Sequence, residues 1–448
     1  MAIAPFITPP ATATYWLRNA RIPQIFLDAT VSHRAVIESL AEPPFAEDLV
    51  AADVQIRDGQ IAAIAPLGTA AVEAPGIDLA RGLVFPCFVD LHTHLDKGQI
   101  WLRQSNPDGT FQSALEAVMK DYANWSADDL YQRMDFSLRC AYAHGTKALR
   151  THFDAFGEMA NTAAEVLARL RHEWRDRLTL QTVSLVSLDY FLTDDGERLA
   201  QLLAENQGIL GGVAYTNPDL AAQLNRVFDL ATQYDLAIDL HVDETLDPTS
   251  QVLRQVAQTK LDHDFMAPVV CGHCCSLSVQ SETEIAETLR LVKAADLGIV
   301  SLPLCNLYLQ GRKSYRTPRY RGVTILHELR AAGIPVAIAS DNCRDPFYAY
   351  GDLDGLEVLT QSTRIAHLDR PIGDWPLAIT RTPAQLMGLT NTGYLGIGQP
   401  ADLVLFKARS FNELFSRPQS DRAVLHQGQA ISTTPPDYAE LDDLLFPG

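Results

Sequence analysis

Cationic side chains are in deficit along this chain, with 36 Lys and Arg set against 55 Asp and Glu, for a formal charge of -19. A nucleic-acid backbone or an anionic membrane surface is bound by basic groups that neutralise it, so neither is expected as the main partner. A single free base as substrate is not excluded. Long apolar runs are also missing: no stretch reaches the roughly 20 residues needed to cross a bilayer. The start of the chain, Met1 to Pro10, has neither the basic region nor the apolar segment of a secretory signal. A cytoplasmic protein without membrane contact is expected. Cysteine is sparse, at seven residues, an odd number in so long a chain, which does not suit a disulfide framework. Cys271-Gly-His273-Cys274 has C-x-x-C spacing, but it ends an apolar run inside a long series of strands and helices. It does not read as a redox pair, and Cys274 and Cys275 read as small packing residues beside His273. The H-x-E and P-C-x-x-C signature of the zinc deaminases that act on nucleic acids is absent, and so are low-complexity segments and internal repeats.

What is present is a large core. The chain has 448 residues, 47% of them hydrophobic, enough for one large barrel with an appendage. Near the start, Asp58-Gly59 sits between two alternating runs, which predicts a two-residue hairpin. Strands around a Gln427-Gly428 turn recur near the end. Both ends, residues 1–85 and 391–448, are therefore expected to build one small β-sandwich domain, with 86–390 inserted as a unit. The insert alternates apolar strands with helical stretches. The strands are Val84 to Leu91, Thr146 to Thr151, Leu178 to Leu185, Ile209 to Ala214, Ala237 to Leu240, Pro268 to Cys271, Gly298 to Leu302 and Pro335 to Ala339. Helical segments include Asp128 to His144, Asn161 to Arg175, Asp219 to Tyr234, Ser281 to Ala295 and Gly322 to Ala332. Eight strands alternating with helices predict a parallel (β/α)8 TIM-like barrel, with functional groups at the carboxyl ends of the strands.

Those ends carry the chemistry. His92 and His94 follow the first apolar run with one residue between them, so in extended chain both rings face one side. A histidine pair alone is as easily solvated. Further donors end later strands: His241 at the fifth, His273 at the sixth and Asp341 at the eighth. His92, His94, His241 and Asp341 make a set of N and O donors suited to one divalent ion, Zn or Fe. A water on such an ion ionises near neutral pH and becomes a nucleophile. Glu244, three residues past His241, is placed to shuttle protons without being a ligand. His273 and Asp341 are placed to take the proton from the water.

At these residues the chain resembles the amidohydrolase superfamily, and within it the bacterial cytosine deaminase group. The motifs are His92-Thr-His94-Leu95-Asp-Lys97, Arg150-Thr-His-Phe-Asp154, Asp239-Leu-His241-Val-Asp-Glu244, Gly272-His273, the segment Pro303 to Arg312, and the segment Asp341 to Tyr348. They extend the similarity over nearly the whole chain. The resemblance implies a distorted TIM barrel with a β-sandwich and hydrolytic deamination of a free nucleobase-like amino-heterocycle such as cytosine or a 5-substituted cytosine. It also implies one metal on His92, His94, His241 and Asp341, catalysis by Glu244 and His273, and a homo-oligomer. Val213-Ala-Tyr-Thr216 offers no lysine for carbamylation, which fits a single metal. Leu95, Ser187, Asn342 and Phe347 fall where the family contacts its substrate. Here Ser187 replaces a glutamine, Asn342 an aspartate and Phe347 a tryptophan, so the reaction class carries over and the ring's identity does not. Alternatives are cleavage of a cyclic amide or of an N-alkyl group on a triazine-like ring, and a non-catalytic scaffold.

Overall fold

A continuous apolar run can serve two sheets where a proline breaks its ladder, and the stretch around Pro86 does so. The computed structural model describes residues 7–10, 12–28, 31, 47–417 and 421–446. In it Val84–Pro86 pairs antiparallel with Leu403–Phe406, whereas Phe88–Thr93 opens the barrel. Pro86 has no N–H to give. Cys87 then donates to the Asp402 carbonyl at 3.0 Å, and Phe88 to that of Gly145 at 2.9 Å. The single strand expected over Val84 to Leu91 is thus two strands, and His92 lies inside the second rather than beyond its end.

The barrel strands are Phe88–Thr93, Thr146–Asp154, Thr179–Leu185, Leu210–Ala214, Ile238–Val242, Val269–His273, Gly298–Ser301 and Val336–Ile338. The first three form one run and the last five another, the latter paired in parallel. Bridges from Val183 to Ile209 and from Ser187 to Val213 join the runs. The ring closes at a seam between the first and eighth strands. There Thr93 bridges Asp341, the Asp341 N–H donates to the His92 carbonyl at 2.9 Å, and the Ser340 N–H donates to Asp90 Oδ1 at 3.2 Å. The fold is the expected (β/α)8 TIM-like barrel with additional antiparallel sheet.

Helices between the strands bury one apolar stripe each. In Leu220–Tyr234 the stripe is Leu220, Leu224, Val227, Phe228 and Ala231, at helical spacing, and each large side chain contributes about 1.5–3 kcal/mol of burial. Glu282–Ala294 begins with a reciprocal capping box between Ser281 and Glu284. The helix expected over Gly322 to Ala332 is shorter, Leu326–Ala331, because Gly322 holds a positive φ of 75° outside the helical region.

The chain divides into two units: Met1–Val89 with Arg139–Ala148 and Asp354–Pro436, and Asp90–Leu138 with Leu149–Leu353 and Asp437–Gly448. The first unit holds two four-stranded sheets, antiparallel except where Gly76–Asp78 pairs in parallel with Thr14–Pro23. Leu49–Arg57 and Gln60–Ala65 form the hairpin anticipated at Asp58-Gly59. Arg422–His426 and Gln429–Ala430 form the one at Gln427-Gly428. Both turns place two residues at positive φ, at 50° and 80° and at 46° and 72°, as a type I′ turn requires. The unit reaches beyond the two end stretches because Asp354, at the head of helix Gly355–Ala366, pairs with Arg422. Gly145 also packs on Val404 and Val424. Among the described residues, no helix is long and apolar enough to cross a membrane.

Candidate functional site

The site starts from how the chain leaves the first strand. Thr93 Oγ1 donates to the Arg150 carbonyl at 2.9 Å, and the Leu95 N–H to Thr151 Oγ1 at 3.0 Å, so the second strand fixes the backbone around His94. A buried ion cluster then holds the turn. Lys97 Nζ lies 2.6 Å from Asp154 Oδ1, Asp154 takes the Tyr122 hydroxyl, and Asp96 Oδ2 accepts the Asp154 N–H at 2.7 Å. Burial pulls the Lys97 ammonium down, but Asp154 and Asp96 outweigh it and the net shift is upward. Beneath, Arg150 donates to Asp239 Oδ2 at 2.6 Å. His273 and Asp341 both hold left-handed backbone, with φ of 71° and 65°, a strain of order 1–3 kcal/mol for such residues.

Four donor atoms converge above this base. His92 Nε2 stands 3.1 Å from His241 Nε2, and His241 Nε2 stands 3.2 Å from His94 Nε2. Asp341 Oδ1 lies 3.2 Å from His94 Nε2 and 3.6 Å from His92 Nε2. Donors that share a tetrahedral ion at about 2.0–2.1 Å stand about 3.3 Å apart; the four spacings lie close to that, with the three histidines forming one set and Asp341 grouping with His92 and His273. Burial first, and then neighbouring histidines or Lys97, hold the three imidazoles well below their usual pKa, so the rings are neutral and their lone pairs free to ligate. Burial pushes the Asp341 carboxyl up to about 8, against the downward pull of the Cys305 thiol. Neither of its oxygens has a partner N–H or O–H among the described residues. A buried, unpartnered carboxylate facing three neutral imidazoles fits a divalent cation.

Glu244 and His273 stand beside this cluster, with Glu244 Oε1 3.5 Å from His273 Nδ1. Burial first, and then Asp341, raises the Glu244 carboxyl well above its usual range, which favours a group that carries a proton. Burial pushes the His273 ring down to about 3, against the upward pull of Asn306. The Asn306 side-chain nitrogen lies 3.0 Å from His273 Nδ1, a contact that suits a neutral ring protonated on Nε2. That atom has no partner among the described residues, and a ligand atom of His273 shares a 4.8 Å cluster with His92 and Asp341.

The positions expected to meet the substrate divide. Leu95 is buried between His94 and Asp96. Phe347 is buried and edge-on to Phe111 at 5.4 Å. Asn342 spends an amide N–H on Asp345 Oδ2 at 2.7 Å, and its carbonyl takes the Cys305 thiol at 3.8 Å. Ser187 turns its hydroxyl to Asp189, an exposed residue, rather than to the cluster.

Three residues here were not assigned from sequence. Asn306 lay in a quoted motif, but its contact with His273 depends on a helix, Pro303–Leu309, that the motif does not reveal. Asp345 is fully buried and collects the N–H groups of Phe347 and Tyr348 as well as that of Asn342. His152 stacks on His92 with centroids 4.0 Å apart, and its Nε2 is 3.8 Å from Asp239 Oδ1. Its place two residues after Arg150, on the same strand face, was the available signal.

Comparison with known proteins agrees with this geometry. Residues 162–431 match the model of the Amidohydrolase family. The chain is 47% identical over 443 residues to a pterin deaminase of Rhizobium rhizogenes, covering 98% of this chain and 99% of that one. It is 26% identical over 348 residues to the N-isopropylammelide isopropyl amidohydrolase of Pseudomonas sp. (strain ADP), covering 75% and 82%. Among solved structures, a 5-methylcytosine deaminase from Klebsiella pneumoniae liganded with 5-fluorocytosine superposes with a TM-score of 0.79 at 25% identity, covering 93% and 97% of the two chains. This chain belongs to the amidohydrolase family and is a hydrolase of carbon–nitrogen bonds.

Proposed function

We propose that the protein hydrolytically deaminates a free amino-heterocycle, and that the ring is of the pterin kind, an amino-pyrimidine fused to a second ring, rather than cytosine. The observation that carries the chemistry is the convergence of His92, His94, His241 and Asp341 with Glu244 and His273 alongside. Identity of 47% to a pterin deaminase along the full length supports the ring class, where the likeness to a 5-methylcytosine deaminase stands at 25%.

His92, His94, His241 and Asp341 would hold one divalent ion, Zn or Fe, which supplies Lewis acidity and lowers the pKa of water towards neutrality. The chain's own groups do the rest. Water adds to the ring carbon that bears the amine, and that carbon becomes tetrahedral. Glu244 delivers a proton to the adjacent ring nitrogen and takes up the one that water gives away. His273 donates its Nε2–H to the attacking oxygen and holds it in place, while Asn306 fixes the ring's tautomer. The proton left on the added hydroxyl then passes through Glu244 to the amine, which leaves as ammonia, and the carbon regains its double bond as a carbonyl. Leu95 and Phe347, both buried, wall the ring.

The test is ammonia release from a panel of pterin, cytosine, 5-methylcytosine and N-alkylamino-triazines. Pterin is expected to give ammonia with the highest kcat/KM. Release of alkylamine, with no ammonia from any ring amine, would instead favour the second reading, N-dealkylation, which the likeness to the isopropyl amidohydrolase supports.

A further inference from the structure

Eleven residues after the seventh strand run against the charge of the whole molecule. Between Gly311 and Arg321 lie Arg312, Lys313, Arg316, Arg319 and Arg321 and no carboxylate, in a chain whose formal charge is -19. Among the described residues, Arg312, Lys313, Arg316 and Arg319 form no ion pair. The segment is exposed throughout apart from half-buried Gly311, and Tyr315 and Tyr320 on it are open to solvent.

Its base is tied to the catalytic groups. Asn306, just before it, contacts His273, and Gln310 donates to the Glu244 carbonyl at 3.0 Å. The far end returns to the same place: Gly322, at a φ of 75°, packs against Gln310 and the Asn306 carbonyl, and a side chain there would clash. The segment is therefore a closed loop rooted on two residues that touch Glu244 and His273. Its first turn reaches the neighbouring loops. Gly311 lies against Leu246, and Arg312 packs on Gly109 and over the Tyr308 ring at 4.4 Å. The acidic groups of those loops are occupied locally, Asp108 by Thr110 and Asp247 by Thr249.

We propose that this loop binds an anionic substituent carried by the heterocycle, a carboxylate or a phosphate, and so sets the enzyme's preference for charged over neutral rings. The inference rests on the deaminase reading of the same site. A site at strand ends in an acidic protein repels an anion at long range, and a concentrated local set of guanidinium and ammonium groups at its rim reverses that sign where the ligand arrives.

The test is equilibrium binding, read from pterin fluorescence, of pterin, pterin-6-carboxylate and 6-hydroxymethylpterin phosphate to the metal-loaded protein and to its Lys313→Gln/Arg316→Gln/Arg319→Gln variant. The natural protein should bind at least one anionic compound about ten-fold or more tighter than pterin, with the preference shrinking as salt rises. The variant should lose that preference. Whichever anion binds tighter identifies the substituent. Equal affinity for all three compounds, or a preference that the variant keeps, overturns the proposal. Ammonia release from the same compounds is read separately. An anion preference without any ammonia leaves the loop's role standing and removes the deaminase reading, whereas ammonia without a preference does the reverse.

Discussion

Glu244 and His241 are three residues apart and are expected to fail differently when altered. Glu244 does not belong to the four-atom cluster of histidines and Asp341, so Glu244→Gln should keep its metal while turnover falls by about 10²–10⁴-fold, the usual worth of a proton-transfer group. Metal analysis and ammonia release on one preparation check both halves, and undiminished turnover would remove Glu244 from the chemistry. His241 Nε2 lies within 3.2 Å of both other imidazole donors, so His241→Ala should lose most of its metal along with its activity. Full occupancy would show that it is not a ligand. At this scale the sequence was most legible for residues whose positions follow from strand ends: His92, His94, His241, Glu244, His273 and Asp341 are brought together. It was least legible for Ser187 and Asn342, whose hydrogen bonds go to Asp189 and Asp345, local partners that loop conformation alone decides.

Among the elements, helix Gly355–Ala366 depends on Asp354, which accepts the Leu356 N–H at 3.0 Å and pairs with Arg422. Burial raises this carboxyl, but Arg422 and then His144 outweigh it and hold it below the usual carboxylate range. Below about pH 4 the unfolded chain therefore binds a proton that the native state still refuses. The resulting stability is present above the unfolded pKa and is lost as pH falls through the native one. Urea midpoints measured from about pH 6 to pH 3 should fall less steeply in Asp354→Asn than in the natural protein, and parallel curves would contradict this. Asp354→Ala should cost about 3 kcal/mol at neutral pH, because it removes the carboxylate paired with the buried Arg422 guanidinium. Elements were legible where a pattern ended in punctuation, as at Asp58-Gly59 and at the apolar runs that stop on polar residues. The break at Pro86 escaped notice because apolar character continues through Cys87 and Phe88 into a different sheet, and hydrophobicity does not record a change of hydrogen-bond partner.

For the molecule as a whole, the proposed ligands, a buried carboxylate and three imidazoles, are expected to couple metal to stability. An ion that binds the native state alone adds RT ln(1 + [M]/Kd), so chelation should lower the thermal midpoint and abolish turnover, and re-addition of Zn or Fe should restore both. The same treatment should leave the midpoint of His92→Ala nearly unmoved. A chelator effect of equal size in that variant would place the ion elsewhere. The overall architecture was legible because eight strand and helix repeats admit few closed solutions. The reach of the first unit into Arg139–Ala148 and Asp354–Pro436 was not, since ion pairs between distant segments leave no periodic trace.

The seam between Thr93 and Asp341 has a consequence for biosynthesis. Because the Asp341 N–H is bonded to the His92 carbonyl, the contact that shuts the ring also delivers the last donor to the other three. A nascent polypeptide holding only the first seven strands carries its histidines without the carboxylate, and with one lateral edge exposed. On the ligand set proposed here, ion capture would fall to the end of translation, and a prematurely terminated product would emerge both open-edged and metal-poor.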